Sequence, residues 1–279
     1  MKEITLANGV RMPVLGYGVY KIGKPDCVQC VLDALETGYR SVDTAQFYHN
    51  EEEVGKALSV SGIPRKDIFL TTKVWMNNYG YENAKASVYR SMEKLKTDYL
   101  DLCLLHQPFG DYYGAWRALE ELYDAGIIRA IGVSNFYADR LVDICLYADM
   151  KPMVNQMETH PINQQKELLV WMQKYGVRLE AWSPFARGRG DLFENPVILG
   201  IAAKYGKTAA QVILRWHIQR DVIVIPKSAH RERIRENFSV FDFSLTDEDM
   251  AAMAALDEQR SLFFSHRDPE RVEIFNSMK

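Results

Sequence analysis

Cysteine is scarce in this 279-residue chain, which has only Cys27, Cys30, Cys103 and Cys145. That is too few for a disulfide scaffold, and only Cys27 and Cys30 stand close enough to act as a pair. Their CxxC lies within PDCVQCVLDALETG, a stretch with helical apolar spacing, with no second pair and no redox-type strand before it. All four are therefore expected to be reduced thiols in a cytoplasmic protein. No apolar run is long and uncharged enough to cross a bilayer. The opening MKEITLANGV has no apolar signal core, so secretion is not expected. The net charge is -3, with both signs mixed and no basic stripe or polybasic run, which argues against nucleic acid or a membrane surface as partner. No cluster with metal-ligand spacing and no nucleophile-base pair stands out, so no metal is expected. The glycine fingerprint of a dinucleotide fold is also missing. Gly16 and Gly18 supply its first two positions, but Lys21 occupies the third.

What the chain does have is apolar residues, 47% of the total, arranged in a rhythm. ITLANGVRMPVLG reads as two strands about an Asn-Gly turn, an N-terminal β-hairpin. Short runs rich in β-branched and aromatic residues then alternate with amphipathic helical stretches. Eight barrel strands are expected at Val14–Tyr17, Tyr39–Val42, Ile68–Lys73, Leu100–Leu105, Arg129–Val133, Met153–Gln156, Arg178–Trp182 and Val222–Ile225. The helices between them include Ala84–Leu95, Gly114–Ala125, Arg140–Ala148, Gln165–Tyr175 and Ala209–Gln219. Such alternation implies parallel strands joined by crossovers. Eight units in this length fit an α/β (β/α)8 TIM barrel, with a doubly wound sheet as the runner-up. No linker or composition shift divides the chain, so residues 1–279 are expected to form one barrel domain.

A barrel enzyme builds its site at the C-terminal ends of its strands. Tyr20 follows the first strand here, and Asp43 and Tyr48 follow the second, within GYRSVDTAQFYHNEEEVGKAL. The third ends in Lys73 and Trp75, the fourth in His106. Ser134–Asn135, Gln156, Trp182–Ser183 and Lys227–Ser228 follow the remaining four. Alone, an Asp and a Tyr on a strand-to-helix turn are most simply a cap and a core edge. Together with a lysine and a histidine they can do chemistry. A phenol ordinarily titrates near pH 10, too high for easy proton donation, and a nearby ammonium lowers that value. Lys73 can supply the ammonium, Asp43 can hold it, and His106 can orient a substrate oxygen. The set suits a general acid that protonates an oxygen gaining charge, as a carbonyl does when it receives hydride from a cofactor. Two alternatives stay open: a Schiff-base lyase that uses Lys73, and a nucleotide-binding sensor with little turnover.

The sequence resembles the aldo-keto reductase family, specifically its bacterial, NADPH-dependent carbonyl and aldehyde reductases. GYRSVDTAQFYHNEEEVG resembles one family signature and IPKSAHRERIREN its lysine signature. TTKVW, LLHQP, GVSNF and VNQMETHP match further blocks in order. The resemblance implies NADPH/NADP+ as cofactor and a catalytic tetrad of Asp43, Tyr48, Lys73 and His106, with Tyr48 as proton donor. By the same carry-over, Ser134, Asn135 and Gln156 would hold the nicotinamide carboxamide, and Trp182 would stack on its ring. Ser183 and Phe185 would line the cofactor on the loop that covers the pyrophosphate, where Arg187 or Arg189 would contribute. Lys227, Ser228, Arg233, Glu236 and Asn237 would hold the adenine end. The cations among these suit a 2′-phosphate and favour NADPH over NADH.

One departure concerns the substrate. Many relatives have Trp after the catalytic His, where this chain has Gln107. A more polar pocket is expected there, with Tyr20, Phe47, Trp75 and Phe109 as apolar walls for an aldehyde or ketone. The short QPFGDYYG segment implies short substrate loops and an open site. RSLFFSHRDPERVEIF either borders the site or packs under the barrel. A monomer is expected, as in many members of that family.

Overall fold

The Asn-Gly turn sets the first element. In the computed structural model, which describes residues 2–278, β1 (Glu3–Thr5) and β2 (Arg11–Pro13) pair antiparallel, with Ile4 opposite Met12. Gly9 turns the chain at φ 87°, a conformation that costs glycine little. The side chain of Asn8 donates to the carbonyl of Arg129 at 2.9 Å, and Lys2 pairs with Asp221 at 2.9 Å. Arg129 and Asp221 each lie just ahead of a barrel strand. The hairpin therefore closes the N-terminal end of the barrel and leaves the opposite end for the site.

Eight parallel strands follow: β3 (Tyr17–Gly18), β4 (Ser41–Asp43), β5 (Phe69–Val74), β6 (Leu102–Leu105), β7 (Ile131–Ser134), β8 (Val154–Glu158), β9 (Arg178–Trp182) and β10 (Ile223–Val224). Each pairs with its neighbour in sequence order. A parallel bridge between Leu15 and Val224 brings the first strand beside the last. Backbone bonds from Gly16 to Val224 (2.8 Å) and from Gly18 to Pro226 (3.1 Å) reinforce that seam. This explains the glycines that half-resemble a nucleotide fingerprint. A Cβ on Gly16 would meet Ser41 Oγ at 2.9 Å, and one on Gly18 would meet the carbonyl of Ile225 at 3.0 Å. They serve close packing at the barrel seam.

The outer ring comprises α1 (Lys24–Thr37), α2 (Glu51–Val60), α3 (Tyr81–Leu95), α4 (Tyr112–Asp124), α5 (Ala138–Tyr147), α6 (Lys166–Tyr175), α7 (Pro196–Tyr205), α8 (Ala209–Gln219) and α9 (Arg231–Phe238). α10 (Asp247–Ala254) and α11 (Pro269–Ser277) follow the barrel. Cys27 and Cys30 lie buried on α1 as free thiols. No single described helix is long and apolar enough to cross a membrane. α7 and α8 pass that test only jointly, across an 89° bend. Their apolar faces, with Ile198, Ile213 and Trp216, pack into a core of their own beside the barrel.

Candidate active site

The strand alternation sends Asp43, Lys73, Gln156 and Glu180 into the barrel interior, where they meet. Lys73 is fully buried and donates to Asp43 Oδ1 at 2.6 Å, to the carbonyl of Thr44 at 3.0 Å and to the Tyr48 hydroxyl at 3.2 Å. Burial pushes its ammonium down, but Asp43, Tyr48 and Glu180 together outweigh that and raise it above its ordinary value. Gln156 spends its amide N–H groups on Asp43 Oδ2 (2.9 Å) and Glu180 Oε2 (2.8 Å), which leaves its Oε1 uncommitted among the described residues. Glu180 is fully buried and pushed up to about 8, first by desolvation and then by the charge of Asp43.

Tyr48 is delivered by a short 3-10 turn, Gln46–Tyr48, that ends at a left-handed His49. Gln46 fixes this turn: its amide donates to both Ser87 and Ser91 on α3, and its carbonyl accepts from Trp75 N and Asn78 Nδ2 at 2.9 Å each. Nothing in the local sequence marks this role. Asn50, buried at the start of α2, ties Thr44 to the carbonyl of Val19, so it is a structural residue, whereas His49 is exposed. Desolvation pushes the Tyr48 phenol up to about 12, with Lys73 pulling it the other way. This corrects the expected net lowering: in this deep position burial outweighs the ammonium, and the phenol stays protonated. His106 lies edge-on to Tyr48 at 5.7 Å between ring centroids. It is held well below its ordinary value by burial, Lys73 and His266, and is therefore neutral.

Asp43, Tyr48, His106 and Gln156 line a cavity of about 520 Å³, with Lys73 and Glu180 buried behind them. Tyr20, Phe47, Trp75 and Gln107 line it. Phe47 stacks on Trp75 at 4.1 Å, and Tyr20 leans on Tyr48 at 4.8 Å. Phe109 is a correction. It does not line the cavity but packs behind the C-terminal segment, 6.0 Å from His266 and 5.9 Å from Phe275. That segment borders the site: Phe263, Phe264, His266, Arg271, Phe275 and Met278 line the cavity, and the Met278 carbonyl accepts from Trp75 Nε1 and Asn77 Nδ2. The site is thus roofed by the tail where the short loops implied an open one.

On the other side Ser134, Asn135, Trp182, Ser183, Phe185 and Lys227 line the same cavity. The Asn135 amide donates to the His106 carbonyl at 3.1 Å and to Ser134 Oγ at 3.2 Å and accepts from Trp182 Nε1 at 2.9 Å, so its oxygen can accept one further bond. Arg187 reaches the cavity over Tyr20 (4.9 Å) and Phe263 (4.8 Å), while Arg189 binds the carbonyl of Leu262. Ser228 Oγ accepts from His230 N, and Glu236 accepts from Thr208. Asn237 is buried on α9. Among the described residues Lys227 and Arg233 have no acidic partner. An uncommitted amide acceptor, a flat indole and unpaired cations fit a phosphorylated dinucleotide.

The aldo/keto reductase family model matches residues 14–258. The chain belongs to that family. It is 48% identical over 257 residues to a glyoxal reductase of Bacillus subtilis, covering 91% of this chain and 92% of that protein. An aldo/keto reductase structure from Brucella melitensis superposes with a TM-score of 0.89 at 45% identity, covering 92% of this chain and 99% of that one. A silkworm (Bombyx mori) aldo-keto reductase solved in complex with NADP gives 0.89 at 31% identity, covering 98% and 96%. Membership makes this chain an oxidoreductase of a family whose cofactor is NADP(H).

Proposed function

We propose that this reductase converts aldehydes or ketones to alcohols, with Tyr48 donating the proton to the carbonyl oxygen. The observation that carries the reading is the chain Asp43–Lys73–Tyr48 beside a neutral His106 on the cavity floor. NADPH, when bound, supplies the hydride. Gln156, Ser134 and Asn135 would hold its carboxamide and Trp182 its ring, with Ser183, Phe185 and Arg187 along the covering loop. Lys227, Ser228, Arg233, Glu236 and Asn237 would hold the adenine end, where the two unpaired cations favour a 2′-phosphate. Neutral His106 fixes the carbonyl oxygen by hydrogen bonding. Lys73 receives the phenolate as it forms, and Asp43 keeps that ammonium charged and in place. Lys73 is a poor Schiff-base nucleophile for the same reason: the amine is buried and held protonated.

The aromatic walls suit a carbonyl with some apolar body, and similarity to a glyoxal reductase favours small dicarbonyls as well. The test is NADPH oxidation against a panel of aldehydes, α-dicarbonyls, keto acids and sugars, with wild type and Tyr48→Phe. Turnover in wild type and a loss of about 100-fold or more in the variant are expected, with NADPH affinity nearly unchanged. Tight NADPH binding without turnover of any carbonyl would instead favour a sensor.

A further inference from the structure

We infer that Glu158 is a positioning residue for substrate selection, because its carboxylate seats the strap that roofs the cavity. The inference rests on the reductase reading above. Glu158 ends β8 and is buried, but it does not itself line the cavity. Three donors converge on its carboxylate. Oε1 accepts from the backbone N–H of Leu262 and from His160 Nε2, both at 2.8 Å, and Oε2 accepts from the Ser261 hydroxyl at 2.6 Å. His160 is fully buried.

The Ser261 oxygen in turn receives the N–H groups of Phe263 and Phe264, each at 3.0 Å, and so folds the strap into a tight turn around one hydroxyl. That turn sets the roof. Phe263 comes to 5.3 Å from Trp182, and Phe264 to 4.9 Å from His266 and 5.4 Å from Phe275. All five of these aromatic side chains line the cavity. A charged carboxylate suits the position because it only accepts, and three donors face it. An amide there would turn an N–H toward one of them. The strap would then lose its seat while the tetrad, held by separate bonds, stays in place.

A substrate that reaches the roof should sense Glu158, and one too small to reach it should not. The experiment compares wild type, Glu158→Gln and Ser261→Ala with 4-nitrobenzaldehyde and glyoxal under NADPH, and follows hydrogen exchange in residues 259–266. In Glu158→Gln, kcat/KM for the aromatic aldehyde should fall about tenfold through KM, with glyoxal changing by less than about twofold. Ser261→Ala should shift the same ratio less, and the strap amides should exchange faster in both. A purely structural defect would lower both substrates together, so an unchanged ratio in a folded variant overturns the proposal. Should wild type turn over no carbonyl of the wider panel, the reductase reading fails by itself. Exchange then decides the seat: faster strap exchange in Glu158→Gln supports it, and unchanged exchange overturns it.

Discussion

Replacing Lys73 with Met separates what the buried charge does for the fold from what it does for the chemistry. The ammonium is fully buried and makes three bonds, the shortest being 2.6 Å to Asp43, itself only 2% exposed. Methionine fills much of the volume but leaves Asp43 charged, with Gln156 as its remaining partner. Stranding a buried charge typically costs about 3–5 kcal/mol. At roughly 2–4 °C per kcal/mol for large chains, the melting temperature should drop by about 6–20 °C. Adding Asp43→Asn removes the stranded charge. A neutral pair of similar volume is often as stable as the buried ion pair, so the double variant should regain most of that loss. Its activity should stay down about 100-fold or more, because Tyr48 still lacks the ammonium that receives its phenolate. Thermal melts and NADPH oxidation on the three proteins check this. A double variant as unstable as Lys73→Met alone would refute charge pairing as the cause. Near-normal turnover in Lys73→Met would refute the coupling to Tyr48.

The meeting of Asp43, Tyr48, Lys73 and His106 was legible because three of them stand at the ends of strands marked by β-branched and aromatic runs, Tyr48 follows on the turn after one of those strands, and barrel geometry brings strand ends together. Strand limits were less legible. Val14 and Leu15 read as strand but contribute to the seam only through a bridge and single backbone bonds, because the ladder there is short. What the sequence hid depends on distance between loops. Gln46 reaches α3 across 41 residues and more, and Ser261 reaches Glu158 across 103. Nothing in either residue's local pattern announces a partner that far away. Phe109 illustrates the same limit, since its position after β6 put it at the pocket but the tail came between them. The direction of the Tyr48 shift is not legible locally, because neighbouring residues reveal its charged partners but not the depth at which they meet.

Arg233→Ala should weaken NADPH binding by about tenfold or more and NADH binding little, since only the former carries the 2′-phosphate. Fluorescence titration with both nucleotides measures this, and equal losses would remove Arg233 from that role. Glu180 keeps its proton up to about 8 in the fold against an ordinary value of 4.5, because of burial and then Asp43. Between those values the unfolded chain has released the proton and the folded one has not. The unfolded state binds fewer protons, so stability falls as pH rises, by up to about 1.4 kcal/mol per pH unit for this group. The contribution is complete below the lower value and gone above the upper one. Glu180→Gln preserves an acceptor for Gln156 and cannot ionise, so its urea midpoint should fall less than that of wild type between these limits. Parallel pH curves for the two proteins would show that Glu180 does not hold its proton in the barrel interior.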